Sequence, residues 1–224
     1  MLSGRKIKKK LLNILSTKKI ILFIVLPAVL LTGLRFFIKQ PLSDSFEKAS
    51  LNHVRQKYSG KVNSESSKYG VDPYFFLALI MLETSGRDHL PRFEEHIHSR
   101  LLKYRKLKNG SFRKIPSGQL KKLSERDIRY FASSWGPFQI MGYNAYHLGI
   151  PVQELSGSNA ITHGMKWIMK EYGYLIKRKR YKDALHYHNT GRKFPVDGKS
   201  LTHDPSYVFR GMKYIEYYRS NKKE

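Results

Sequence analysis

The sequence predicts a mainly α domain preceded by one N-terminal membrane-spanning helix. Three observations carry this expectation. The run Ile20–Leu34 holds no charge and follows a basic, acid-free start. The segment 75–82 is apolar on nearly every face, as a helix in the centre of a domain must be. Beyond it, alternating strand pattern is nearly absent, while apolar residues recur at helical spacing.

Residues 1–19 read as a basic cytoplasmic tail, with Arg5, Lys6, Lys8, Lys9, Lys10, Lys18 and Lys19 and no acid. Residues 20–38 read as the transmembrane anchor. A spanning helix needs about 20 apolar residues, and Phe36, Phe37 and Ile38 extend the run past Arg35. The Arg35 stem can snorkel to the headgroups, and Pro27 is tolerable in lipid. Lysines ahead of the span place the N-terminus in the cytoplasm and residues after 40 outside. The expectation is a single-pass protein of the cytoplasmic (inner) membrane with a periplasmic or extracytoplasmic domain. A cleaved signal peptide fits less well, because the basic region is long and no small-x-small site follows.

The formal charge of +25 favours anionic partners. Setting aside the nine basic residues of 1–39 leaves 33 basic against 17 acidic residues, a net +16 on the exported part. Outside the membrane such a charge points to anionic cell-wall polymers or lipid, and nucleic acid is not expected. The absence of cysteine excludes disulfides and Cys-based zinc sites.

Residues 39–61 read as a polar tether, helical in part, and the folded domain is expected over 62–220. A helix ends at Gly70. Asp72-Pro73 starts the next, which runs to about Thr84 before Ser85-Gly86 stops it. A helix follows over 92–106. The basic, Gly/Pro-punctuated 107–124 reads as a flap with a small hairpin near 107–118, and Ser124 with Asp127 can open a short helix. Helical pattern resumes at 159–176, 181–187 and 205–219.

Glu83 stands at the end of the apolar helix, where a carboxylate in apolar surroundings is costly unless paired or protonated. Such surroundings keep a proton on a carboxyl, which suits a general acid that protonates a leaving oxygen. A glutamate at a helix end is more often plain surface, so the neighbouring motifs matter. Glu83-Thr84-Ser85-Gly86 after an apolar helix, SWGPFQIMGYNA over 134–145, RFEEHIHSRL over 92–101, YHNTG over 187–191 and Tyr207-Val208 occur in that set. Together they resemble lysozyme-like peptidoglycan-cleaving enzymes, the soluble lytic transglycosylases and a related N-acetylmuramidase group. The resemblance covers about 62–218. Two departures bear on the subfamily: His188 and Thr190 stand where the transglycosylase pattern has Tyr and Ala, and 87–132 is a long insertion.

The resemblance implies a lysozyme-like domain that cleaves the β-1,4 bond between N-acetylmuramic acid and N-acetylglucosamine in peptidoglycan glycan strands, without a cofactor. Glu83 is then the catalytic acid/base. Ser85, Ser134, Gly136, Gln139, Asn189 and Tyr207 are the expected substrate contacts, and Trp135, Phe138 and Tyr143 either meet sugar rings or pack the core. The transglycosylase mechanism uses one glutamate as acid and then base. Hydrolysis by an N-acetylmuramidase needs a second carboxylate, for which Glu94 is the first candidate, with Glu95 and Asp88 behind it. A wall-binding protein on an inert lysozyme scaffold is a further alternative, though such a protein would typically lose the acid. Two His-x-His pairs, His96/His98 and His186/His188, invite a zinc reading, but no His-Glu-x-x-His helix accompanies them, so no metal is expected.

Overall fold

The computed structural model describes residues 44–88 and 90–221. The expected tail 1–19 and anchor 20–38 lie outside them. Among the described residues no helix is long and apolar enough to cross a membrane. Residues from Ser50 onward form one compact unit, mainly helical, and 44–49 belong to the unit that precedes it.

Residues 44–69 are helical (α1). The tether expected over 39–61 is therefore helix from 44 on, and Leu51 and Val54 are buried in the domain core. The sequence misleads here because α1 touches the core along one narrow stripe. Leu51, Val54, Tyr58, Val62 and Glu65 recur at helical spacing, and most of the other residues are polar. Tyr218 donates to the Leu51 carbonyl at 3.0 Å, and the Arg55 guanidinium lies over the Tyr217 and Tyr218 rings.

α2 (Tyr74–Thr84) is the central rod, with every residue from Phe75 to Leu82 buried. Asp72 accepts from the Tyr74 N–H at 2.8 Å at its start. Its end is sharp. Ser85 turns left-handed (φ 51°), and the Thr84 hydroxyl donates to the Ile80 carbonyl at 2.7 Å. A helix with no polar face needs neighbours all round. It finds them in α7 (Ala160–Lys177), α8 (Tyr181–Thr190) and α9 (Tyr207–Ser220) together with α1. α9 approaches closely at Gly211, where a Cβ would stand 2.6 Å from Leu185 and 2.8 Å from Leu82.

The 87–159 region makes a second lobe of short pieces. It contains β1 (Arg92–Phe93), α3 (Glu95–Lys106), β2 (Ser111–Phe112), β3 (Ile115–Pro116), α4 (Ser117–Lys121) and α5 (Glu125–Phe131). β4 (Ser133–Trp135), β5 (Ile140–Met141), α6 (Asn144–Leu148) and a 3-10 turn at Val152–Leu155 complete it. The hairpin near 107–118 is β2–β3, and α5 opens with a Ser124–Asp127 capping box. Unforeseen is an antiparallel sheet in the order β1-β4-β5, which pairs Arg92 with Ser134 and Trp135 with Ile140. Strands of two or three residues are too short to carry an alternating pattern.

The β4–β5 turn depends on Gly136. Its φ is +69°, and a Cβ there would lie 1.9 Å from the Leu155 carbonyl oxygen. Gly149 has nearly the same φ, +68°, with open space around it. Gly149→Ala should cost about 1–2 kcal/mol, the left-handed penalty alone. Gly136→Ala should cost that plus a backbone clash, about 3 kcal/mol or more in total. Denaturant unfolding of the two variants checks this; equal losses would remove the close approach from the account.

Candidate active site

Glu83 sits where the apolar rod α2 ends, with its side chain 17% exposed. Four elements converge on it. Tyr207, the first residue of α9, donates its hydroxyl to Glu83 Oε1. From α8, His188 places Nε2 3.7 Å from the same oxygen. Behind it, the Tyr172 hydroxyl of α7 lies 2.6 Å from His188 Nδ1. The β4–β5 turn closes the group, because His188 Nε2 is 3.1 Å from the Phe138 carbonyl.

These contacts fix the proton positions. A carbonyl only accepts, so His188 Nε2 carries the hydrogen and Nδ1 accepts from Tyr172. Burial pushes the His188 imidazole below its ordinary range, against the pull of the Glu83 charge and the Phe138 carbonyl. The ring is therefore neutral, and its approach to Glu83 is a dipolar contact rather than an ion pair. Burial also pushes the Tyr207 and Tyr172 hydroxyls well above the usual phenol range, and the nearby Glu83 charge adds to both. Both phenols stay donors at any physiological pH. Glu83 Oε1 is thus held on one side, while Oε2 takes no hydrogen bond among the described residues. The arrangement suits a carboxyl that moves one proton at a fixed point.

The kink in α7 supplies part of this geometry. Tyr172 leaves helical backbone (φ −142°) and is wholly buried. Its ring packs edge-on to Trp167 and His188.

The structure joins some expected site residues and separates others. Glu83 and Tyr207 meet directly. Ser134, Gly136 and Gln139 share one turn, but they brace it. Ser134 donates to Gln139 Oε1 at 2.8 Å, and Gln139 Nε2 donates to the Gly136 carbonyl at 3.0 Å. This holds Gln139 itself in a left-handed conformation, φ 45°. Gly136 packs closely against the Leu155 carbonyl. Asn189 is exposed beside His188, and Ser85 is exposed at the end of α2. Glu94 stands at the N-cap position of α3, with its carboxylate 2.6 Å from the Arg92 guanidinium and 3.8 Å from His96 Nδ1.

The aromatic residues of the 134–145 motif are core. Trp135 is 6% exposed and donates to the Tyr130 carbonyl at 2.9 Å. Phe138 packs on Gly164, and Tyr143 packs edge-on to Phe112. Among the described residues no three His, Asp or Glu side chains gather as metal ligands. His186 is instead wired into the loop after α8, through the Arg192 carbonyl at 2.7 Å and the Leu201 N–H at 3.0 Å.

Sequence reasoning missed His188 and Tyr172. His188 was visible only as a departure from a pattern that has Tyr there and as half of a His-x-His pair. Tyr172 carried no signal among 15 tyrosines.

A cleft of about 440 Å³ has Thr84, Gly136, Pro137, Ser156, Ala160 and Ile161 among its walls; Thr84 is the chain neighbour of Glu83. No family model, curated protein or solved structure matches the chain.

The buried neutral imidazole predicts a pH dependence. Unfolded, His188 takes up a proton below about pH 6.5, whereas the folded ring resists it. Its contribution to stability is therefore full above that pH and shrinks as pH falls toward the depressed folded value. The unfolding midpoints of wild type and His188→Gln, measured from pH 7.5 to 5, should converge as pH falls. Parallel curves would contradict a buried neutral ring.

Proposed function

We propose that this chain is a membrane-anchored peptidoglycan lytic transglycosylase with a lysozyme-like domain, cutting the β-1,4 bond between N-acetylmuramic acid and N-acetylglucosamine. The observation that carries the reading is one carboxyl, Glu83, fixed through Oε1 by Tyr207 at the end of α2, next in the chain to Thr84, which lines a cleft. No second carboxylate touches it among the described residues. In this reading Oε2 gives its proton to the glycosidic oxygen as the C1–O bond breaks. The carboxylate then accepts the proton of the muramic acid 6-hydroxyl as that oxygen closes on C1. The product is a 1,6-anhydro sugar, no water is consumed, and Glu83 ends reprotonated. Tyr207 keeps the carboxyl from swinging between the two steps, and neutral His188 holds the β4–β5 turn beside it without competing for the proton.

The anchor at 20–38 would keep the domain near the wall, and a basic surface would hold it on anionic wall polymers or lipid, more weakly as salt rises.

A second reading, hydrolysis by an N-acetylmuramidase, is favoured by a single feature: Asp88 lines the cleft. Its ion pair with Lys57 makes it a poor water-activating base. Glu94, the first candidate for that role, is engaged by Arg92.

Digestion of purified peptidoglycan by the full chain tests the proposal. Glu83→Gln should lower the rate by about 10³-fold or more while the fold persists, since general acid–base catalysis supplies about 10²–10⁴-fold per step. Tyr207→Phe keeps the ring and loses the hydrogen bond, so a loss of about 10–100-fold is expected, mainly in kcat. Undiminished wall lysis by folded Glu83→Gln would reject Glu83 as the acid. An absence of wild-type lysis with intact wall binding would favour the inert scaffold.

A further inference from the structure

The His-x-His pair of α8 sends its two rings to different places, as residues two apart on a helix must. His188 meets Phe138 and the Glu83 group. His186 is wholly buried and meets the loop that joins α8 to α9. Hydrogen-bond chemistry assigns its ring nitrogens. The Arg192 carbonyl only accepts, so Nδ1, 2.7 Å away, carries the hydrogen. Nε2 then accepts, and it takes the Leu201 N–H at 3.0 Å. One imidazole thus ties the start of the loop to a point near its end.

The two ties are not equal. The start of the loop has further support: the Thr190 hydroxyl accepts from the Arg192 N–H at 3.1 Å, and Asp183 accepts from the Phe194 N–H at 3.2 Å. The later part has only His186. Among the described residues, the other hydrogen bonds of 195–206 stay inside that stretch or run forward into α9.

From Leu201 a short chain of bonds leads to Tyr207. Thr202, buried and next in sequence, donates its hydroxyl to the Asp204 carbonyl at 2.6 Å. The same carbonyl accepts from the Tyr207 N–H at 3.0 Å. The Asp204 carboxylate accepts from the Ser206 N–H at 2.9 Å and from Arg210 at 2.6 Å, which seats the first turn of α9. Tyr207 then donates to Glu83.

Taking Glu83 as the acid, as read above, we propose that His186 is a positioning residue for the cut. Through Leu201, Thr202 and Asp204 it sets where α9 begins, and so where the Tyr207 hydroxyl meets Glu83. Being buried, it touches no substrate, so it acts on kcat and leaves KM unchanged.

Two substitutions in the full chain separate the ring nitrogens. In His186→Asn the amide N–H takes the place of Nδ1, keeping the bond to Arg192 and losing the one to Leu201. In His186→Gln the longer side chain brings its carbonyl oxygen to the place of Nε2 and keeps the bond to Leu201. On purified peptidoglycan His186→Asn should lower kcat about tenfold, with KM within about twofold, as the loss of one buried hydrogen bond would give. His186→Gln should recover most of that loss. Thr202→Val breaks the next link with the ring in place and should reproduce it. In a Tyr207→Phe background His186→Asn should cost less than about twofold more, because both changes remove one contact. Additive losses, or equal losses from Asn and Gln, would overturn the positioning role. Residue-by-residue amide hydrogen exchange decides the relay without any activity. In His186→Asn the Tyr207 amide should exchange about tenfold faster while Leu79 and Ile80 of α2 keep their rates. An unchanged Tyr207 amide, or an equal rise in α2, would overturn the relay. If the wild type cuts no glycan while the Tyr207 amide responds as stated, the glycan-cleaving function falls and the seating of Tyr207 by His186 stands.

Discussion

The bond from Tyr207 to Glu83 joins the two helices on which the rest of the domain depends. α2 is apolar all round and fixes the direction of the chain up to Glu83. α9 lies against it, close enough at Gly211 to exclude a side chain, and begins with the tyrosine that meets the carboxyl. The packing of two rods thus sets the position of one oxygen atom. The left-handed turn at Ser85 ends α2 at once, so Glu83 stands in the last turn of the helix, beside Thr84, which lines the cleft.

The second lobe brings the β4–β5 turn to the same point. That turn is over-determined. Gly136 admits the Leu155 carbonyl, Ser134 and Gln139 tie it from within, and His188 holds Phe138 from outside. In the proposed reaction the nucleophile is part of the substrate, and a rigid turn beside the carboxyl would supply its orientation. Ser134, Gly136 and Gln139, expected as substrate contacts, also hold one another in place within this turn.

Much of this was legible in the sequence. The unbroken apolar run in α2 gave its burial, and Asp72, Gly70 and the Ser124–Asp127 pair gave helix boundaries through local capping chemistry. Glu83 and Tyr207 stood out by position and motif. Less legible was anything that depends on long-range packing. α1 hid its core stripe among polar residues, and strands of two residues showed no period. Trp135, Phe138 and Tyr143 have the same letters whether they face a sugar or a core, and only the fold decides. His188 looked like a flaw in a pattern, yet it is the ring that links α7, α8 and the turn to the carboxyl. Tyr172 depends on a kink in α7 that no local residue announces.

The central claim is that Glu83 acts alone and that no water enters the cut. Digesting purified peptidoglycan with the full chain in ¹⁸O-labelled water, then weighing the released fragments by mass spectrometry, tests it directly. The account predicts fragments ending in 1,6-anhydro muramic acid with no ¹⁸O. Reducing ends that carry one ¹⁸O would contradict it.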